Sequence, residues 1–176
     1  MRADYVLEKQ VDLILAALMP ANRLVIRVAV HTGLRVGDVL NLRTEQLSHQ
    51  LWVTESKTGK RKQIGLPEPL LTDLRAQAGE EWVFPSRSDP HKHRSRQAVW
   101  KDVKRAAKLY RMPQNVTPHS FRKHYAVDLL HRCGDLERVR RALNHESDIV
   151  TMVYAMADYQ LRQKIGRKTR KNGEKV

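Results

Sequence analysis

The chain has 176 residues, 41% of them apolar and 30% charged, and carries a formal charge of +14 from 33 Lys and Arg against 19 Asp and Glu. That length suits one domain with a substantial core and is short for two. The charge points to polyanions, nucleic acid first and an anionic membrane surface second, and the sequence carries no long apolar run, signal-type segment or lipidation box to support a membrane reading. Cys133 stands alone, which excludes an internal disulfide and a Cys-rich zinc site, suits a reducing cytoplasm, and reads as a packing residue.

In chain order, Val6, Leu7, Val11, Leu13, Ile14 and Leu18 recur at helical spacing over 6–18, and Pro20 stops that helix. A second helix runs from Leu24 through Val30 and ends at Gly33, where a positive φ costs little. Val36 to Leu42 predicts a short third helix. The period then changes to two. Leu51–Thr54 is a strand, Lys57–Lys60 a turn and Gln63–Leu66 a returning strand, closed by Pro67.

Pro69–Ala78 predicts a helix and Trp82–Phe84 a third strand, followed by a polar loop from Pro85 to Arg94. Ser95 is placed to cap a helix reaching Tyr110, with Val99, Val103, Ala106 and Leu109 on one side. Thr117-Pro118 is a strong start signal, an N-cap followed by proline at the first helical position. That helix ends near Gly134. Leu136–Leu143 forms another, followed by a final helical region holding Tyr154. One unit is therefore expected over 1–166, with a basic, mobile tail at 167–176.

Several polar residues stand where their chemistry could act together. Arg35 follows Gly33-Leu34 and opens a helix; a guanidinium offers two parallel donors to non-bridging phosphate oxygens. Asp38 lies three residues on, on the same face, suited to orienting Arg35 or to serving as a plain first-turn carboxylate. His119 and Arg122 share one face at the start of their helix, an end that also presents backbone N–H groups to anions. Lys57 sits in a Ser-Lys-Thr-Gly turn, from which a flexible lysine can reach a scissile bond and act as an acid. His145 follows Asn144, a residue tolerant of the left-handed conformation that ends helices. Tyr154 follows His145 by nine residues; a phenol becomes a nucleophile when cations and a base surround it. Taken singly, each also reads as solvated surface or ordinary packing. His91 and His93 resemble metal ligands superficially, but a polar loop fits them better.

Taken in order, Thr32-Gly33-Leu34-Arg35-Val36-Gly37-Asp38, Ser56-Lys57-Thr58-Gly59, His119-Ser120-Phe121-Arg122, Leu143-Asn144-His145 and Tyr154 give the chain its family likeness. Over roughly residues 6–160 it resembles the catalytic domain of the tyrosine recombinases, the phage integrase family. The first two segments look especially like lambdoid phage integrases. Asn144 stands where the family most often has Gly.

The resemblance implies an α+β fold, mainly α-helical with a small three-stranded antiparallel sheet, of the DNA breaking-rejoining type. By the same likeness Arg35 and Arg122 bind the scissile phosphate with His145, Lys57 protonates the 5′ leaving oxygen, His119 assists as acid or base, and Tyr154 attacks. It implies no metal and no cofactor, and double-stranded DNA as partner. Lys60, Arg61 and Lys62 on the hairpin, with Arg94 and Arg96, are expected to touch the DNA backbone. A monomer is expected in dilute solution, a multimer (a tetramer by the same likeness) on paired sites, and a cytoplasmic location. The N-terminal DNA-binding domain usual in the family is expected to be absent, because the first helix begins almost at Met1. A type IB topoisomerase-like relaxase and a DNA-binding regulator without catalysis are the competing readings.

Overall fold

A computed structural model describes residues 3–143 of the chain. Asn144, His145, the region of Tyr154 and the basic tail lie outside the described residues. The elements are α1 (Glu8–Ala17), α2 (Pro20–Thr32), α3 (Val36–Leu40), β1 (Gln50–Thr54), β2 (Arg61–Gly65), α4 (Glu68–Gln77), α5 (Arg96–Leu109), α6 (Pro118–Cys133) and α7 (Leu136–Leu143), with a single 3₁₀ turn at Thr44–Gln46.

Helix α2 is the centre of the packing. Pro20 occupies its first turn, where a missing N–H costs nothing. Val25, Ile26, Val28 and Ala29 are all buried, and α1, α3, α4, α5 and α6 pack around it. Truncating any of the large members of this core to alanine would cost about 2–5 kcal/mol. A smaller apolar group joins α6 to α7 through Ala126, Val139 and Leu143, with Cys133 half-buried against it.

Asp102, buried on the core side of α5, staples that helix to the α1–α2 corner. Its Oδ2 accepts from the Met19 N–H at 2.9 Å and from Asn22 Nδ2 at 2.7 Å, and its Oδ1 accepts from Arg105 Nε at 2.9 Å. Burying a carboxylate is tolerable only with such partners. On the same helix Val99, Val103 and Ala106 are buried as the periodicity predicts, whereas Leu109 is 62% exposed. The last turn of α5 has outrun the core, and Ala107 is buried in its place.

The described residues contain a two-stranded antiparallel sheet rather than the expected three-stranded one, with Leu51 opposite Ile64 and Val53 opposite Lys62. The Trp82–Phe84 segment makes one isolated bridge, Trp82 to Arg43. Its backbone is committed elsewhere: the Val83 N–H donates to Leu42 O at 3.1 Å, and Val83 O accepts from Gln77 Nε2 at 3.0 Å. Val83 and Phe84 supply the apolar content that resembles a strand, but they fill the core beside α4 instead of extending the sheet.

Gly33 ends α2 at φ +68°, and its N–H bonds back to Ala29 O at 2.9 Å. A Cβ at this position would fall 2.3 Å from Tyr125 Cδ1, an overlap in addition to the cost of a left-handed backbone. The position therefore requires glycine on two grounds, and it fixes how the chain leaves α2 toward Arg35. Gly33→Ala should lower stability by about 2 kcal/mol or more, read as a lower urea midpoint; an unchanged midpoint would show that Tyr125 and the α2 terminus yield freely.

Candidate active site

The segment after Gly33 is built to present one side chain. Thr32 Oγ1 donates to Val28 O at 2.7 Å and accepts from the Leu34 N–H at 3.3 Å, and Leu34 is fully buried. With both neighbours anchored, Arg35 becomes the N-cap of α3, its carbonyl accepting from the Asp38 and Val39 N–H groups. Its guanidinium, 16% exposed, bonds through Nη1 to Glu55 Oε2 at 2.7 Å.

Glu55 is fully buried at the foot of the hairpin turn. Its other oxygen, Oε1, lies 4.0 Å from Arg122 Nη1, and Arg122 is only 1% exposed. Arg122 Nη1 also donates to Gly33 O, and its Nη2 donates to Leu143 O at 2.6 Å. The two candidate clamp arginines thus share one carboxylate. That carboxylate was not among the sequence-derived candidates.

Asp38 takes a different place from the one expected. Its Oδ1 accepts from the Ser56 N–H at 2.9 Å and from Ser56 Oγ at 2.7 Å, while Oδ2 makes no hydrogen bond among the described residues. Asp38 therefore braces the residue before Lys57, and Glu55 is the carboxylate that holds Arg35. Lys57 is exposed on the turn, which closes through the Glu55 N–H to Lys60 O at 3.0 Å and the Gly59 N–H to Glu55 O at 2.8 Å.

Thr117 caps α6 as its sequence predicts, accepting from the His119 N–H at 3.3 Å, while Ser120 Oγ accepts from the Thr117 N–H at 3.1 Å. These bonds occupy the backbone donors at that end, so what it offers an anion is side chains. Arg35, Lys57, His119 and Arg122 line one open cleft of about 440 Å³, together with Ser56 and Arg96. Four candidate catalytic residues from three separate stretches meet there, and Arg96, expected to touch the DNA backbone, joins them from a fourth. His145 and Tyr154 lie outside the described residues.

The remaining cationic candidates divide. Lys60 and Arg61 are exposed, with Arg61 over the exposed Trp52 ring at 5.1 Å. Arg94 lines a different pocket, beside Arg87, Lys101 and Arg105. Lys62 turns inward: its ammonium donates to Thr32 O at 2.8 Å and lies 5.7 Å from the Tyr125 ring centre. There it supports the exit of α2. The alternation that buries Ile64 puts Lys62 on the same inner face, a signal already present in the sequence. His91 pairs with Glu81 at 2.8 Å and His93 with Arg94 O at 2.7 Å. Among the described residues no group of His, Cys, Asp and Glu could hold a metal ion. None of their helices is long and apolar enough to cross a membrane.

The sequence profile described as the phage integrase family matches residues 4–160, and the chain belongs to that family. It is 30% identical over 142 residues to tyrosine recombinase XerA of Pyrococcus furiosus, an alignment covering 76% of this chain and 49% of the relative. To the integrase of Escherichia phage P2 it is 25% identical, covering 86% of this chain and 42% of that one. The chain thus spans about half the length of these curated relatives. Its fold matches a lambda integrase (75–356) dimer bound to a COC′ core site with a TM-score of 0.72 at 24% identity, over 84% of this chain and 59% of that one.

Burial pulls the Lys62 pKa down to about 8, the nearby Arg122 charge adding to the effect and Glu55 opposing it. Between about pH 8 and the ordinary lysine range the unfolded chain binds the proton that the folded chain has lost, so stability contributed by Lys62 rises with pH across that window. Relative to Lys62→Met, the unaltered chain should gain on the order of 2 kcal/mol from pH 7.5 to pH 10, measured by urea unfolding at each pH. Parallel curves for the two proteins would place the titration elsewhere.

Proposed function

We propose that this chain is the catalytic domain of a site-specific DNA recombinase that cuts and rejoins strands through a 3′-phosphotyrosyl intermediate. The observation that carries the reading is the convergence of Arg35, Lys57, His119 and Arg122 on one cleft. Two guanidiniums suit the non-bridging oxygens of a phosphodiester and, more strongly, the added charge of its pentacoordinate transition state. Tyr154 Oη gives its proton to His119 and attacks phosphorus as the bond to the 5′ oxygen breaks, and that oxygen takes its proton from Lys57. His145 helps the arginines to bind the phosphate, and His119 acts as acid or base. A 5′-hydroxyl of another strand then attacks the phosphotyrosyl linkage and releases the phenol, so the number of phosphodiester bonds is conserved without ATP. The clustered cations perform the neutralisation that metals supply in other phosphoryl-transfer sites.

Double-stranded DNA is the proposed partner, supported by the net charge of +14 and by the exposed Lys60 and Arg61 beside the cleft. Phosphate contacts of this kind position the protein without reading sequence. Assembly of several copies on paired sites follows the lambda integrase dimer seen on its core site, with a monomer in dilute solution. The bacterial or phage cytoplasm is the proposed location.

A nicked suicide duplex that traps the cleaved state tests the reading, provided it carries the protein's own site. The unaltered chain should yield a covalent protein–DNA band on a denaturing gel, and Tyr154→Phe should abolish it while leaving binding to uncut duplex within about threefold. A persistent band in that variant would refute the assignment of the nucleophile.

The same gel separates the acid from the clamp. Replacing the bridging 5′ oxygen by sulfur, a far better leaving group, should restore cleavage by Lys57→Ala and leave Arg35→Ala slow by about a hundredfold or more. Equal rescue of both variants would remove Lys57 from the acid role.

A further inference from the structure

A negative charge buried behind an anion-binding cleft weakens the cleft's attraction for phosphate. Glu55 nevertheless sits there, fully buried, 2.7 Å from Arg35 and 4.0 Å from Arg122. Its backbone closes the Lys57 turn at both ends, through Lys60 O and the Gly59 N–H, and Thr58 Oγ1 donates to its Oε2 at 3.2 Å. One residue therefore touches both arginines and the turn that carries the lysine.

Resting on the reading of the cleft as a phosphate clamp, we propose that Glu55 is the positioning residue that sets the separation of Arg35 and Arg122 and ties them to the Lys57 turn before DNA arrives. Two guanidiniums facing one cleft repel each other. Without an anion between them, that repulsion would widen their separation, and the geometry would have to be recovered on each encounter with DNA. A buried carboxylate supplies a permanent counterion to both guanidiniums. Charges held in place in this way need no reorganisation during reaction, which is where electrostatic catalysis gains most. The electrostatic loss falls on ground-state binding and the geometric gain on the transition state.

The two effects of Glu55 have opposite signs, and that makes them separable. If Glu55 only compensates charge, Glu55→Gln should strengthen anion binding, and Glu55→Asp, which keeps the charge and withdraws it by one methylene, should leave binding unchanged. If Glu55 positions the arginines, both variants should weaken it. The probe is inorganic orthovanadate titrated calorimetrically into the DNA-free full chain, with the share lost in Arg35→Ala taken as the cleft's own. We expect at least threefold weaker vanadate binding in both variants. On the suicide duplex we expect cleavage at saturating DNA slowed tenfold or more, with affinity for uncut duplex changed less than threefold. Sulfur at the bridging position should leave most of this defect in place, because it relieves the acid and not the clamp.

Thermal unfolding of each variant accompanies the titrations, and Glu55→Asp decides the question if Glu55→Gln does not fold. Tighter or unchanged vanadate binding in the folded variants overturns the proposal, as does cleavage within twofold of the unaltered chain. Vanadate binding insensitive to Arg35→Ala removes the clamp and the proposal with it. Absence of any covalent adduct from the unaltered chain counts against the recombinase reading, and the vanadate titration still decides the role of Glu55.

Discussion

A guanidinium cannot be buried without partners for its donors and its charge, and Arg122 is the most deeply buried cation lining the cleft. Its Nη1 and Nη2 donate to the carbonyls of Gly33 and Leu143, and the carboxylate of Glu55 stands 4.0 Å away as its counterion. Those partners come from the end of α2, the end of α7 and the foot of the hairpin. Losing one partner of a buried charge pair costs about 3–5 kcal/mol, because the other is left uncompensated. The ion cluster that lines the cleft is therefore also the junction at which three parts of the fold are joined. Substitutions at Arg122 act on stability and chemistry together, and their kinetic effects are interpretable only beside an unfolding measurement.

Around that junction the structure separates fixed from movable parts. Gly33, Leu34 and Thr32 lock the approach to Arg35, and Lys62 supports Thr32 from the hairpin side. The Thr117–Ser120 cap fixes the start of α6 beneath His119. Lys57 alone of the four cleft candidates stands on a turn, exposed at its tip, but that turn is tethered at its base by Asp38 through Ser56 and by the backbone of Glu55. A group that must reach a departing oxygen benefits from such an arrangement, with short local freedom on a rigid support.

Most helices were legible because their signals are local. Pro20, Gly33, Ser95, Thr117-Pro118 and Gly134 mark ends through backbone chemistry that no distant contact needs to confirm. Trp82–Phe84 misled because apolar content at strand length does not say where the N–H and C=O groups will go. Here they go to Leu42 and Gln77. Leu109 misled because helical period continues past the point where the core ends. Glu55 and Lys62 were readable in principle: Leu51, Val53 and Glu55 fall on one face of β1 and its extension, and Lys62 and Ile64 on the facing side of β2. Their charge made the solvated face the natural expectation, and the pleat overrode it.

The sequence by itself determined the helical order, the hairpin, the residue types at the cleft and the family, because capping, alternation and motif order are properties of neighbouring residues. Tertiary structure decided which carboxylate serves which arginine. Asp38 is nearest Arg35 in sequence, yet it turns to Ser56, while Glu55, twenty residues away, takes the arginine. A buried ion pair depends on the path each element takes through the core and on which charges lose their water together, and neither is encoded in local spacing.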